Sequence, residues 1–281
     1  MVKQRLDLAL VERGLAESRT QAQALIMAHR VRSGTAVLSK AGLAVDDTLP
    51  LDVTHPEVSF ASRGGTKLDA ALERFAVDVR DAVALDVGAS TGGFTDVLLR
   101  RGARHVYAVD VGYGQLAWTL RQDPRVSVLE RTNIRYLESL PAEPPDLATI
   151  DVSFISLEKV LPAVARLLAP RGRAIALIKP QFEAGRGQVG KGGVVRSPAI
   201  HRAVLARILQ IAQGDGWTPC GLMASPLRGP AGNREFLVLL SRRPGDQPLG
   251  AMDAAIESAL AEDGAVAGDG PGAVHSDGTA R

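Results

Sequence analysis

Cysteine is almost absent from this chain of 281 residues, where Cys220 stands alone. A lone thiol excludes an intrachain disulfide framework and a cysteine-based zinc centre. Aromatic residues are scarce at 4%, so the core must be built from aliphatic side chains. No apolar run approaches the roughly 20 residues that a membrane-spanning helix needs. The opening MVKQRLDLALVERG is charged and helical in pattern, unlike the apolar core of a secretory signal peptide. These absences point to a reducing, cytoplasmic setting with no membrane attachment. Net charge is also small, at +2, but it is unevenly held: residues 244–281 carry seven acids and one base, which leaves +8 on residues 1–243. A basic folded part suits a polyanionic partner. From Gly264 onward Gly, Ala and Asp dominate, and 264–281 reads as a disordered tail.

What is present is organised around residues 83–94. Val83–Val87 is a short apolar run bounded by turn residues, the pattern of a buried strand. It breaks into Gly88-Ala-Ser-Thr-Gly92-Gly93 and resumes as a helix from Phe94. A strand, glycine turn and helix in this order build a nucleotide site at the carboxyl end of the first strand of a doubly wound sheet. The spacing is neither G-x-G-x-x-G nor a P-loop, which argues against a dinucleotide pyrophosphate. Asp86, just before the turn, would repel a pyrophosphate and suits a cationic, amine-bearing ligand such as S-adenosylmethionine. A glycine turn in some other α/β protein would share these features.

Further strands fall at 106–110, 126–129, 147–151, 173–178 and around 238–240, with helices at 94–101, from Gln115, at 157–168 and at 198–213, and a short closing helix through Ile256 and Leu260. The second strand ends in Asp110, where an acid accepts hydrogen bonds from ribose hydroxyls. Loop 130–133, ending in Asn133, suits the adenine side. Asp151 and Lys179 both stand at strand ends, which face the ligand crevice in an open parallel sheet. In SRGGTKLDAAL (62–72), Gly64-Gly65 reads as a hinge before a helix starting near Thr66. Lys67 then lies in the first turn, an unfavourable place for a cation, which suggests a functional rather than an ordinary surface lysine. Segment 185–193 reads as a flexible basic loop.

The first 55 residues form a separate pattern. Leu6, Leu10 and Val11 make one apolar stripe, Gly14 fits a helix end, and Ser18 fits the cap of a second helix carrying Ala22, Leu25 and Ile26. Short strands follow near Val31, at 36–38 and at 49–53. Arg5, Arg13, Arg19, Arg30, Arg32 and Lys40 fall on one basic path; the spacing resembles the S4-like RNA-binding fold, and that resemblance implies contact with RNA rather than a merely solvated face. His29-Arg30 occupies a place where a glycine would make the turn easier.

The motifs RLDLALVERGL (5–15), SRTQA (18–22), SRGGTKLDAAL, LDVGASTGGFTDVLL (85–99), VDVGYGQLAW (109–118), LERTN (129–133), IDVSFISL (150–157), IKPQFE (178–183), KGGVV (191–195) and GNREFLV (232–238) stand in order along the chain. Together they resemble the TlyA family, in which an S4-like RNA-binding domain precedes an FtsJ-type ribose methyltransferase domain. The resemblance implies an S4-like domain at 1–55, a linker at 56–63 and an α/β, Rossmann-like methyltransferase domain at 64–263. It implies a catalytic set of Lys67, Asp151, Lys179 and Glu235. It places S-adenosylmethionine against Asp86, Gly88, Ala89, Ser90, Gly92, Gly93, Phe94, Asp110, Val111, Asn133 and Asp151, and adds Arg63 to the RNA contacts. It implies cytidine 2′-O-methylation in ribosomal RNA of one or both subunits.

The residue types suit that chemistry on their own. A sugar hydroxyl is a weak acid, so transfer of a methyl group to it gains from a positioned base and a nearby cation. Lys179, on a rigid strand end, is the expected base, with Asp151 orienting it, Lys67 stabilising the developing alkoxide and Glu235 holding a lysine. Two rivals remain at this stage: an RNA-binding module on an inactive methyltransferase fold, and a membrane-active haemolysin. No metal and no protein partner are expected, and a monomer is favoured because no exposed apolar stripe is evident.

Overall fold

The computed structural model describes residues 3–16, 18–27, 29–53 and 60–262. The expected tail at 264–281 and the first half of the expected linker, 56–59, lie outside them. Contacts divide the chain into two units, 1–59 and 60–281.

In the first unit, β1 (Lys3–Arg5) leads into α1 (Leu6–Glu12), followed by α2 (Arg19–Met27), β2 (Val31–Ser33), β3 (Ala36–Val37), β4 (Ala44–Asp46) and β5 (Asp52–Val53). β1 pairs antiparallel with β4, and β2 pairs antiparallel with both β3 and β5. Leu6, Leu10, Ala22, Leu25, Ile26, Val31 and Val45 fill the core. Both helices end on the same device. Gly14 takes φ +68° while its N–H donates to Val11 O and that of Leu15 donates to Leu10 O. His29 takes φ +56° while its N–H donates to Ile26 O and that of Arg30 donates to Leu25 O. These paired bonds close a helix through one left-handed residue, so the turn forms at His29 without a glycine. The last strand is shorter than the expected 49–53. The β1–β4 ladder has no counterpart in the sequence reading, because three-residue strands carry no usable period.

The second unit begins with α3 (Gly64–Arg74), β6 (Val83–Val87), α4 (Gly93–Arg100), β7 (His105–Val109), α5 (Trp118–Arg121) and β8 (Val126–Leu129). It continues with β9 (Leu147–Ile150), α6 (Leu161–Leu167), β10 (Arg173–Ile178), α7 (Pro180–Glu183), α8 (Pro198–Gly214), β11 (Thr218–Ala224), β12 (Phe236–Ser241) and α9 (Met252–Ala261). One seven-stranded sheet runs in the order β11-β12-β10-β9-β6-β7-β8. It is parallel except for β12, which lies antiparallel between β10 and β11. The order reverses between β6 and β9, so a crevice opens beyond their carboxyl ends.

Alternation along β6 sorts the core. Val83, Leu85 and Val87 pack in the layer that holds α6, α8 and α9, while Ala84 packs in the layer that holds α3 and α4. Three expectations are revised. The helix expected over 157–168 is a 3-10 turn at Leu157–Lys159 followed by α6, with Pro162 in the first turn of α6. The helix expected from Gln115 is the single turn α5. β11 was not anticipated: Pro219 and Gly221 interrupt its apolar pattern, and the register with β12 shifts between them. An edge strand tolerates both residues.

Gly64-Gly65 is not a hinge but the first turn of α3. A Cβ on Gly65 would lie 2.5 Å from both Cβ and Cγ of Phe60. Alanine would gain up to about 1 kcal/mol in helix propensity, whereas overpacking costs about 1–3 kcal/mol. Gly65→Ala is therefore expected to destabilise the unit by about 1–2 kcal/mol. A thermal melt with an unchanged or raised midpoint would contradict this packing.

Candidate active site

Two adjoining cavities occupy the crevice. The larger, of about 840 Å³, is lined by Val87, Gly88, Ser90 and Asp110 on one side, by Gln115, Thr132, Asn133 and Arg135 beyond them, and by Asp151–Ser156, Lys159 and Phe182 opposite. The smaller, of about 210 Å³, is lined by Ser62, Arg63, Lys67, Gly93, Phe94, Lys179 and Glu235, among others. Gly88, Ser90, Asp151 and Ser153 border both.

The turn after β6 explains the approach of its neighbours. Gly88 takes φ +85°, and a Cβ there would lie 2.4 Å from the carbonyl oxygen of Asp151. Only glycine meets both demands. Asp110 follows β7 and accepts the Ser90 N–H at 2.8 Å and the Gly112 N–H at 2.6 Å, which ties the glycine turn to the next strand. Asn133 lines the larger cavity and caps the 3-10 turn Ile134–Tyr136 by accepting the Arg135 N–H. Val111 lines it with most of its surface exposed. Glu183, buried, accepts from Ser156 Oγ at 2.7 Å, Leu157 N at 2.8 Å and Arg207 Nη2 at 3.0 Å, and so anchors the 152–156 wall.

The four residues expected to act together meet at the smaller cavity. Lys67 Nζ donates to Glu235 Oε2 at 2.5 Å, with side chains 7% and 1% exposed. Gln181 Nε2 also donates to Glu235, at 3.3 Å. Lys179 Nζ lies 2.6 Å from Asp151 Oδ1 and donates to Ser153 Oγ at 2.9 Å. Phe154 follows at φ +63°, 89% exposed, with its ring centroid 4.8 Å from that of Phe182.

Among the described residues, no cluster of His, Cys, Asp or Glu is placed to hold a metal ion, and no helix is long and apolar enough to cross a membrane. Residues 60–242 match the model of the FtsJ-like methyltransferase family, and residues 4–47 match that of the S4 domain. The chain belongs to the TlyA family of FtsJ-like methyltransferases. It is 49% identical to a Mycobacterium tuberculosis protein named 16S/23S rRNA (cytidine-2′-O)-methyltransferase TlyA, over 92% of this chain and 97% of that one. It is 40% identical to a Brachyspira hyodysenteriae protein named hemolysin A, over 83% and 98% of the two chains. A hemolysin-named structure from Streptococcus thermophilus superposes with a TM-score of 0.71 at 44% identity, covering 93% of this chain and 95% of that one.

As a TlyA-family protein, the chain is an S-adenosylmethionine-dependent methyltransferase. The larger cavity fits that donor. It offers the tight Gly88 turn, the carboxylate of Asp110 and, at its border, the carboxylate of Asp151. Two expected contacts are corrected. Asp86 is wholly buried and lines neither cavity. Strand alternation turns it towards α4, where Thr95 Oγ1 donates to it at 2.6 Å, and Thr149 Oγ1 of the neighbouring β9 donates at 3.1 Å. Gly92 lines neither cavity either: the space beside it is taken by Leu116 and Leu120, and a Cβ there would lie 2.3 Å from Leu120 Cδ1. Ala89, Gly93 and Phe94 border the smaller cavity, not the larger.

The expected basic path also divides. Arg13 donates to Leu49 O at 2.6 Å and Asp46 O at 2.9 Å, so it is a strut between α1 and the turn after β4, not an open contact. Arg5 and Arg19 converge on Asp7. Arg32 and Lys40 are exposed and Arg30 half-buried, and Arg63 borders the smaller cavity of the other unit. Residues missed by sequence reasoning are Gln115, Arg135, Ser153, Phe154 and Gln181. The one available signal was an aromatic following a strand-end acid in IDVSF.

Burial pushes the Asp86 carboxyl up to about 7, against the hydrogen bonds from Thr95 and Thr149. The folded state therefore holds a proton that the unfolded chain releases near pH 4, and stability falls as pH rises from about 4 to 7. Asp86→Asn is expected to raise the melting midpoint at pH 8, with the gain shrinking towards pH 5. A gain independent of pH would contradict a neutral Asp86.

Proposed function

We propose that this protein transfers a methyl group from S-adenosylmethionine to the 2′-hydroxyl of a cytidine in ribosomal RNA. The observation that carries this reading is the meeting of two amine–carboxylate pairs, Lys67–Glu235 and Lys179–Asp151, in a cavity that adjoins the donor cavity. The S4 domain supports RNA as the substrate, and relatives named as rRNA cytidine-2′-O-methyltransferases support the nucleotide and the sugar position.

The donor supplies an electrophilic methyl group on a sulfonium. Lys179 is the proton acceptor in its neutral amine form: its nitrogen lone pair, at the end of β10, takes the hydrogen of the sugar hydroxyl as the oxygen gains the methyl group, and the ammonium so formed pairs with Asp151. Asp151 and Ser153 hold that nitrogen in place. Lys67 is buried and pinned by Glu235, so it acts as a fixed positive charge beside the developing oxyanion. Holding the hydroxyl in line contributes further to the rate. Phe154 offers an exposed ring at the mouth of the larger cavity, a surface on which an unpaired base stacks.

Mapping 2′-O-methylated nucleotides in ribosomal RNA from cells with and without the gene tests this function. A cytidine methylated only in its presence is the expected result, and identical maps would overturn it. Lys179→Ala is expected to keep affinity for S-adenosylmethionine and to lose turnover by about 10²–10⁴-fold, the usual worth of a positioned acid or base. Turnover at the wild-type rate would remove Lys179 from the chemistry.

A further inference from the structure

Glu235 is held at both of its oxygens, and only one of the holders is charged. Its Oε2 accepts Lys67 Nζ at 2.5 Å. Its Oε1 accepts Gln181 Nε2 at 3.3 Å and lies 2.5 Å from where a Cβ on Gly229 would stand. The carboxylate thus sits between an ammonium on one side and, on the other, an amide and a stretch of backbone with no side chain. Gln181 and Gly229 line neither cavity.

The fold alone accounts for neither residue. Gln181 belongs to the single turn α7. Its Oε1 is buried and meets no donor among the described residues, so the hydrogen bond that its side chain makes there goes to Glu235. Burying an amide that is only half satisfied destabilises a fold, and an apolar side chain of the same length would pack at lower cost. Gly229 is buried, yet its φ lies outside the left-handed region, so its backbone path does not require glycine. Its N–H donates to Asn233 O at 2.9 Å, and its carbonyl accepts the Gly232 N–H at 2.8 Å. Asn233 in turn donates to Gly193 O at 2.8 Å and accepts the Val195 N–H at 2.9 Å, which fixes this turn from behind. Beyond Glu235, the nearest atom to an added Cβ is Asn233 O at 3.7 Å, an ordinary contact. What requires a glycine at 229 is room for one carboxylate oxygen.

We propose that Gln181 and Gly229 are positioning residues for methyl transfer, which fix the Oε1 edge of Glu235 and through it the place of the Lys67 ammonium at the cavity. This rests on the methyl-transfer reading above and extends it to two residues outside the cavity walls. A carboxylate held at one oxygen can swing and carry its hydrogen-bonded ammonium along. Holding the second oxygen removes that freedom, and a misplacement of about 1 Å can cost about 10²-fold in rate. Gln181 stands two residues after Lys179, so the turn that begins at the proton acceptor also steadies the second amine.

The test is steady-state methyl transfer by the full-length protein, from labelled S-adenosylmethionine to ribosomal subunits of cells that lack the gene. Gly229→Ala adds only the methyl group that meets Oε1. Its kcat is expected to fall by about 10–100-fold, with KM for both substrates and the melting midpoint close to wild type. Gln181→Met keeps the length and loses the donor, and its kcat is expected to fall by about tenfold with the same split. The double variant is expected to lose no more than Gly229→Ala alone, because the added methyl group already drives Oε1 away from the amide. Wild-type turnover in Gly229→Ala overturns the proposal, as do losses that multiply in the double variant or a loss confined to KM or to the melting midpoint. Should Gly229→Ala fail to fold, Gln181→Met decides, and wild-type turnover there overturns the proposal. A wild-type protein that methylates the subunits beside an indifferent Gly229→Ala removes the positioning role alone, whereas a wild-type protein that methylates no ribosomal RNA removes the functional reading with it.

Discussion

A charge pair taken out of water governs how the catalytic unit closes. Lys67 and Glu235 are 168 residues apart in sequence and 2.5 Å apart in the fold. Either charge alone in that place would cost several kcal/mol, and removing one partner of such a pair typically costs about 3–5 kcal/mol. Lys67 belongs to the first helix of the unit and Glu235 immediately precedes β12, the antiparallel strand inserted between β10 and β11. The pair is complete only when that strand is in place. The Lys67 amine is therefore fixed at the cavity only in the finished fold.

Three acids near the ends of three parallel strands show how local geometry separates roles. Asp86, Asp110 and Asp151 all sit at the carboxyl side of the sheet. Asp86 is still inside β6, and alternation directs it into the helix layer, where burial favours its neutral form. Asp110 lies one residue past β7 and binds backbone N–H groups that shape the glycine turn. Asp151 lies one residue past β9, where it meets Lys179 and borders both cavities. Two residues of displacement in register, from inside a strand to just past its end, separate a structural acid from acids that face the crevice.

The first unit applies the same economy to its cations. Arg13 is used up on backbone carbonyls, which need donors wherever they leave the ladder. Arg5 and Arg19 are instead gathered by a buried acid and remain half exposed. Residues of one type and similar spacing thus have different capacities for an external anion.

Much of the plan was legible in the chain itself. Val83–Val87, Val126–Leu129 and Arg173–Ile178 announce themselves as apolar runs, and the glycine turn is marked by the one residue type that tolerates its backbone path. Lys67, Asp151 and Lys179 of the smaller cavity were also nameable, because lysines and acids at strand and helix ends stand out against an aliphatic background, whereas Glu235 came only with the family resemblance. Such signals are local, and local patterning survives in sequence. Other features depended on contacts between distant segments. β11 is masked by Pro219 and Gly221, and the β1–β4 ladder is too short to carry a period. The inward turn of Asp86, the loss of Arg13 to carbonyls and the choice of Lys67 as the lysine that Glu235 holds were settled only by packing. The sequence by itself determined which chemistry was on offer. The tertiary structure decided which groups could reach it, because burial and direction belong to the folded arrangement and not to any one stretch of chain.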